Sequence, residues 1–264
     1  MVKIDPMANP TRLKVALVQT SLFWESPQKN RKSLAKTIYS FSNQVNLIVL
    51  PEMFTTGFTM SPKNIDPREG QLTLEWMQHI AKEKDAAITG SFPYVENNTY
   101  YNRLFFVIPN GEYYTYDKKH TFTLAGEDKI YKAGDKKIII PYKGFLICPL
   151  ICYDLRFPVW ARNTENYDVL LYIANWPKQR IHAWDILLKA RAIENVAYCI
   201  GVNRIGTDNL GYEYTGHSAV YDCLGKELAF STTNDVIFTV LEKAHIDETR
   251  TKLMFLEDKD TFTL

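Results

Sequence analysis

Three stretches of this chain carry an apolar run into a residue that can do chemistry. The run NLIVLPEMFTTGF places Glu52 directly after a buried strand. Partial desolvation there raises a carboxylate's pKa and makes it a better base near neutral pH. The competing reading is a helix cap or a satisfied polar residue. In YYTYDKKHTF, Lys118 and Lys119 follow a strand among aromatic residues. Strand alternation lets only one of them point inward, where it can serve as a fixed positive charge for a developing oxyanion. The competing reading is a solvated hairpin end. In FLICPLICYDLRFP, Cys152 ends a long apolar strand, and Asp154 can cap a short helix after it. Free backbone N–H groups and a helix end at such a turn are expected to lower the thiol pKa. The Tyr153 N–H would point at a carbonyl oxygen under attack. The competing reading is a small buried hydrophobe, the reading preferred for Cys148, Cys199 and Cys223.

Taken together, the three stretches fit one mechanism. Glu52 accepts the thiol proton and Cys152 attacks an amide carbonyl. Lys118 and the Tyr153 N–H stabilise the oxyanion. Glu52 then protonates departing ammonia and activates the water that hydrolyses the acyl-thioester. Neither a metal nor an organic cofactor is needed.

The elements that must hold these residues follow from periodicity. Strands are predicted over 13–20, 45–51, 86–94, 168–175, 197–205 and 236–243. Hairpins are predicted around Asn110-Gly111, Lys143-Gly144 and Leu224-Gly225. Helices are predicted over 27–43, 71–84, 154–163 and 182–195. The second of these carries Leu72, Trp76, His79 and Ile80 near one face. The last carries Ala183, Ile186, Leu187, Ala190 and Ile193 at helical spacing. About a dozen strands are too many for one open sheet, so two packed mixed sheets with helices outside are expected.

Composition narrows the function classes. Lys+Arg number 31 and Asp+Glu 30, so no basic field attracts nucleic acid. No apolar run reaches the roughly 18 residues of a membrane span. The first ten residues lack the apolar stretch of a signal peptide and read as a loose tail, with Met7 an alternative start. With no dividing Pro/Gly/Ser-rich stretch, 1–264 reads as one domain. Four cysteines in apolar, strand-like stretches read as reduced thiols of a cytoplasmic protein and have no zinc spacing.

In this order and spacing, the strand-Pro-Glu, YDKKH and ICYDLRFP blocks resemble the nitrilase superfamily of carbon–nitrogen hydrolases, from about residue 13 to about 240. The resemblance implies an α/β, four-layer α-β-β-α sandwich and a Glu52-Lys118-Cys152 triad. It also implies a second active-site glutamate at Glu127, no cofactor, and a homodimer joined through helices near the nucleophile turn. Tyr153-Asp154 after the cysteine matches amidase-like branches, and the stretch from Ala174 to Gly206 is similar to omega-amidases. That branch implies hydrolysis of the terminal amide of 2-oxoglutaramate or 2-oxosuccinamate, with Asn175 and Trp176 lining the pocket. Arg156 then either meets the substrate carboxylate or forms a structural ion pair. Arg191, Glu194 and Asn195 read as a structural network, and His120 as a packed neighbour of the site. The alternatives are another small-amide or N-carbamoyl hydrolase with the same triad, a histidine-dependent cysteine protease, and a non-catalytic binding protein of this fold.

Overall fold

The computed structural model describes residues 11–263. The strands are β1 Arg12–Gln19, β2 Leu47–Val49, β3 Ala87–Glu96, β4 Thr99–Val107, β5 Tyr113–Asp117, β6 Ile140–Tyr142 and β7 Phe145–Ile151. They continue as β8 Val169–Ala174, β9 Tyr198–Asn203, β10 Ile205–Thr207, β11 Glu213–Thr215, β12 Ser218–Tyr221, β13 Glu227–Ser231 and β14 Asp235–Glu242. The helices are α1 Pro27–Ser40, α2 Glu69–Lys84, α3 Pro158–Ala161, α4 Ile181–Asn195 and α5 Lys243–Leu253. One six-stranded sheet runs β14-β1-β2-β3-β4-β5 and the other β13-β12-β9-β8-β7-β6. Both are mixed, as expected: β1, β2 and β3 are parallel, as are β7, β8 and β9, while the flanking pairs are antiparallel. The loose tail expected over residues 1–10 lies outside the described residues.

Alternation along β1 explains the layering. Leu13, Val15 and Leu17 join the core shared with Ile147, Leu171 and Ile173 of the second sheet. Ala16 and Val18 face the opposite way, onto Leu34 and Ile38 of α1 and Met77 and Ile80 of α2. On the far side α4 packs Trp184, Leu188 and Ala192 onto the second sheet. The result is helix, sheet, sheet, helix. Gly201 makes the α4 contact close, because a Cβ there would stand 2.8 Å from the Trp184 ring.

Several local expectations change. The strand expected over 45–51 is regular only at Leu47–Val49, where its two parallel neighbours pair with it. A hairpin turn at Asn97-Asn98, both with positive φ, joins β3 to β4. The helix expected over 154–163 divides into a 3-10 turn, Cys152–Arg156, and the four-residue α3, because Pro158 restricts the residue before it. Two helix faces are also phased differently. In α2 the buried residues include Thr73, Leu74 and Met77, while Leu72 is exposed. In α4 Ile186 and Ile193 point outward, with exposures of 66% and 50%, while Trp184, Leu188, Arg191, Ala192 and Asn195 are buried. Short β10 and β11 and the C-terminal α5 complete the chain without having been foreseen.

Candidate active site

β5 runs parallel to β3, since each pairs antiparallel with β4. The carboxyl ends of β2, β5, β7 and β8 meet at one rim, where α/β sheets place sites. Glu52 follows β2 and is fully buried. Its turn is pinned to β3: Met53 N–H donates to Ser91 Oγ (3.0 Å) and Phe54 N–H to the Ser91 carbonyl (3.0 Å). Glu52 Oε1 accepts from Lys118 Nζ (2.8 Å) and Asn102 Nδ2 (2.8 Å). Its Oε2 accepts from the Asn175 backbone N–H (2.8 Å), and Asn175 Nδ2 donates to the Glu52 carbonyl (2.7 Å).

Lys118 is the inward member of the lysine pair and is 1% exposed. Lys119 turns away and lies over the Trp160 ring at 5.1 Å. Lys118 Nζ also donates to Glu127 Oε2 (2.8 Å) and Oε1 (3.1 Å). Burial opposes its charge, but the Glu127 and Glu52 carboxylates outweigh burial and hold the ammonium above its usual range. Glu127, on a 3-10 turn after Gly126, is fully buried and accepts the Phe122 N–H (2.6 Å). Its burial and the nearby Glu52 push its pKa up, while Lys118 pulls it back.

Cys152 opens the 3-10 turn after β7 with φ of 46°. A left-handed backbone at a non-glycine residue costs of order 1–3 kcal/mol and turns the side chain out of the strand line. Its Sγ lies 4.0 Å from the Asn175 carbonyl. The expectation of a lowered thiol pKa is reversed. Burial and the Glu52 carboxylate push the Cys152 thiol well above its ordinary value, and Lys118 offsets only part of this. The physical reason is burial of the sulfur first and the adjacent Glu52 carboxylate second, at a one-turn helix too short to carry a useful dipole.

Asp154 lies inside that turn rather than capping it from outside. Its carboxylate accepts from Ile151 N–H (3.0 Å), His120 N–H (2.9 Å) and Tyr116 O–H (2.7 Å). This ties the end of β5 to the Cys152 turn. His120 packs flat on Phe157 with centroids 3.7 Å apart and places Nδ1 2.8 Å from Asp154, a packed neighbour as expected. Arg191 donates to the Leu155 carbonyl (2.6 Å) and pairs with Glu194 (2.9 Å), bracing the turn from α4.

A cavity of about 280 Å³ opens above Cys152. Lys118, Tyr153, Arg156, Asn175 and Trp176 all line it; Glu52 and Glu127 lie behind its wall. Trp176 is locked by its N–H to Asn203 Oδ1 (2.8 Å) and its carbonyl to Asn203 Nδ2 (2.9 Å). The Arg156 guanidinium lies 5.0 Å over the Trp176 ring, and that of Arg180 lies 5.2 Å over Phe122. Among the described residues neither arginine has a carboxylate within salt-bridge distance, so the ion-pair alternative for Arg156 has no partner there. Asp208, the acid on the wall, accepts from Tyr214 O–H (2.8 Å), Leu210 N–H (2.9 Å) and Tyr212 N–H (3.0 Å), which shapes the β10–β11 loop. Among the described residues no three His, Cys, Asp or Glu side chains converge as a metal ion would require.

Sequence reasoning passed over Asn102 and Arg180. Asn102 shares the inward phase of Leu104 and Phe106 on β4, so alternation marks a polar side chain bound for the core. Arg180 stands four residues after Trp176 at the end of a one-turn 3-10 helix, Lys178–Arg180, too short for periodicity to tell its direction.

The chain resembles known proteins over nearly its whole length. A model of the carbon–nitrogen hydrolase family matches residues 14–251. Omega-amidase YafV of Escherichia coli K12 is 39% identical over 254 residues, covering 96% of this chain and 98% of that protein. The 2-oxoglutaramate amidase of Bacillus subtilis is 32% identical over 222 residues, covering 81% and 85%. Among solved structures, XC1258 of Xanthomonas campestris, a CN-hydrolase superfamily protein with an arsenic adduct in its active site, superposes with a TM-score of 0.92. It is 36% identical, with 96% of this chain and 99% of that one covered. Saccharomyces cerevisiae Nit3, at 23% identity, shares the fold with a TM-score of 0.81, covering 92% and 94%. With the family match spanning most of the chain and these relatives aligned almost end to end, the chain belongs to the carbon–nitrogen hydrolase family.

Proposed function

We propose that this enzyme hydrolyses the terminal amide of a small 2-oxo acid amide, 2-oxoglutaramate or 2-oxosuccinamate, to the dicarboxylate and ammonia. The observation that carries the chemistry is the meeting of Glu52, Lys118 and Glu127 beside Cys152, each brought from a different element. The thiol is held protonated, so Glu52 takes its proton as Sγ attacks the amide carbon. The C–N bond then breaks as protonated Glu52 gives that proton to the leaving nitrogen. Water, deprotonated by Glu52, cleaves the thioester and restores the thiol. Lys118 stabilises each oxyanion, with the Tyr153 N–H as second donor; backbone donors at the start of such a turn have no partner within it. Glu127 holds Lys118 in place.

The substrate class rests on the named activities of the relatives and on the cavity's two arginines. An oxo acid amide presents one carboxylate away from its scissile amide, and a guanidinium suits it. Asn175 and Trp176 form the wall beneath it. Four unpaired cysteines fit a reducing compartment such as the cytoplasm. A homodimer is supported by the exposed apolar side chains Ile186 and Ile193 of α4, with exposed Leu224 in the turn that packs on Ile193. Sedimentation velocity tests it, expecting a dimer that Ile186→Glu with Ile193→Glu dissociates.

The substrate test is ammonia release from 2-oxoglutaramate against glutamine, asparagine, a simple nitrile and N-carbamoyl-β-alanine. Preference for the oxo acid amide is expected. Cys152-dependent turnover of another member alone would keep the chemistry and discard the substrate.

A further inference from the structure

Asn102 touches all three members of the buried charge cluster, Glu52, Lys118 and Glu127. Its backbone carbonyl accepts the Lys118 N–H (3.1 Å), fixing the residue that carries the ammonium. Its Nδ2 donates to Glu52 Oε1 (2.8 Å) and to Glu127 Oε1 (3.1 Å). The other end of the same amide is less well served. Asn102 Oδ1 is fully buried and has no hydrogen-bond partner among the described residues. Buried polar atoms without partners are rare and call for a reason. Turning the amide over would not help, since Oδ1 would then face two carboxylate oxygens. The amide is held in the orientation that serves the two glutamates.

Those glutamates need it. Two buried carboxylates share one ammonium, and like charges this close resist joint ionisation. The other titratable groups facing them are Cys152 at the end of β7 and Tyr131 beyond Glu127; neither supplies a cation. Asn102 adds a donor without adding a charge, which leaves Lys118 free to answer an oxyanion. We infer that Asn102 is a positioning residue of the reaction: its one amide nitrogen, shared between Glu52 and Glu127, keeps both carboxylates ionised and in register around Lys118. This rests on Glu52 being the base in the reaction proposed above. Asn102 does not line the cavity, so its effect falls on the proton transfers rather than on substrate binding.

The test is the pH profile of kcat and kcat/KM for Asn102→Leu, which removes the donor, and Asn102→Asp, which keeps the shape. Asn102→Ser, which restores one shorter donor, is the rescue. Losing a donor to an ionised carboxylate favours its protonated form, so the base is lost at higher pH than in wild type. The acidic limb is expected to move up by about one pH unit or more in the Leu and Asp variants, and less in the Ser variant. At neutral pH kcat is expected to fall roughly 10- to 100-fold while KM changes little. Folded variants whose acidic limb stays at the wild-type position, whatever their rate, would overturn the inference. So would failure of all three to fold, since that makes the amide structural. A wild-type enzyme whose turnover survives Cys152→Ala would instead remove the reading beneath it.

Discussion

Glu127→Gln is the sharpest perturbation of the charge cluster, because geometry leaves the glutamine no good orientation. Glu127 accepts four hydrogen bonds: Lys118 Nζ and Asn102 Nδ2 on Oε1, and Lys118 Nζ and the Phe122 N–H on Oε2. A glutamine offers one oxygen and one NH2 group. With its oxygen at the Oε1 position, the NH2 faces Lys118 and the Phe122 N–H. With its oxygen at the Oε2 position, the NH2 faces Lys118 and Asn102. Either way two donors meet a donor inside a fully buried site. Lys118 keeps a bond to the remaining oxygen and to Glu52, so one donor is left short in either orientation, at about 1–3 kcal/mol. Relaxation of the Glu127 turn shares this between stability and catalysis, since moving the turn also moves Lys118. Thermal unfolding and ammonia release measure the two shares. We expect Tm to fall by at least about 2 °C, as 1 kcal/mol shifts it about 2–4 °C in a chain of this size. We expect kcat to fall by at least about 100-fold, the order found when one oxyanion donor is lost. A Glu127→Gln enzyme with wild-type Tm and wild-type kcat would refute the four-acceptor account of this residue.

Other expectations follow from the same geometry. The thiolate ultraviolet absorbance of wild type minus Cys152→Ala should rise only above the ordinary thiol range, because burial and Glu52 raise this pKa; an inflection below pH 7 would contradict it. Arg180→Met and Arg156→Met should each raise KM for the oxo acid amide by roughly 10- to 100-fold with kcat largely kept, the worth of one charge-assisted hydrogen bond. Unchanged KM in both would remove the arginines from carboxylate binding. Gly201→Ala should destabilise by about 1–3 kcal/mol in urea unfolding, since its Cβ intrudes on Trp184 and Leu188 of α4; an unchanged midpoint would mean that the helix yields without cost.

The site was more legible in the sequence than its energetics. Glu52 and Cys152 each follow a strongly apolar strand and Lys118 a tyrosine-rich one; strand alternation allows only one of Lys118 and Lys119 inward, and the family resemblance points to Lys118. The layered fold followed from strand count and mixed pairing. Phase was harder in the helices. The aliphatic stripe Ile186–Ile193 on α4 suggested a core face, yet Trp184 and Leu188 are the buried pair and the stripe faces outward. A stripe facing outward and a stripe facing the core have the same period. The thiol pKa runs opposite to the expectation because burial, and after it a neighbouring carboxylate, outweigh a one-turn helix, and that carboxylate follows a strand one hundred residues earlier in the chain. Asn102 escaped notice because its importance lies in what two distant glutamates share, which no local pattern encodes.

The central claim, that Cys152 is the nucleophile, is tested most directly by acid-quenching the enzyme during turnover of 2-oxoglutaramate and weighing it intact. The account predicts an added acyl group, the substrate less ammonia, on the peptide carrying Cys152, with both adduct and ammonia release lost in Cys152→Ala. Ammonia release that persists in Cys152→Ala would contradict it.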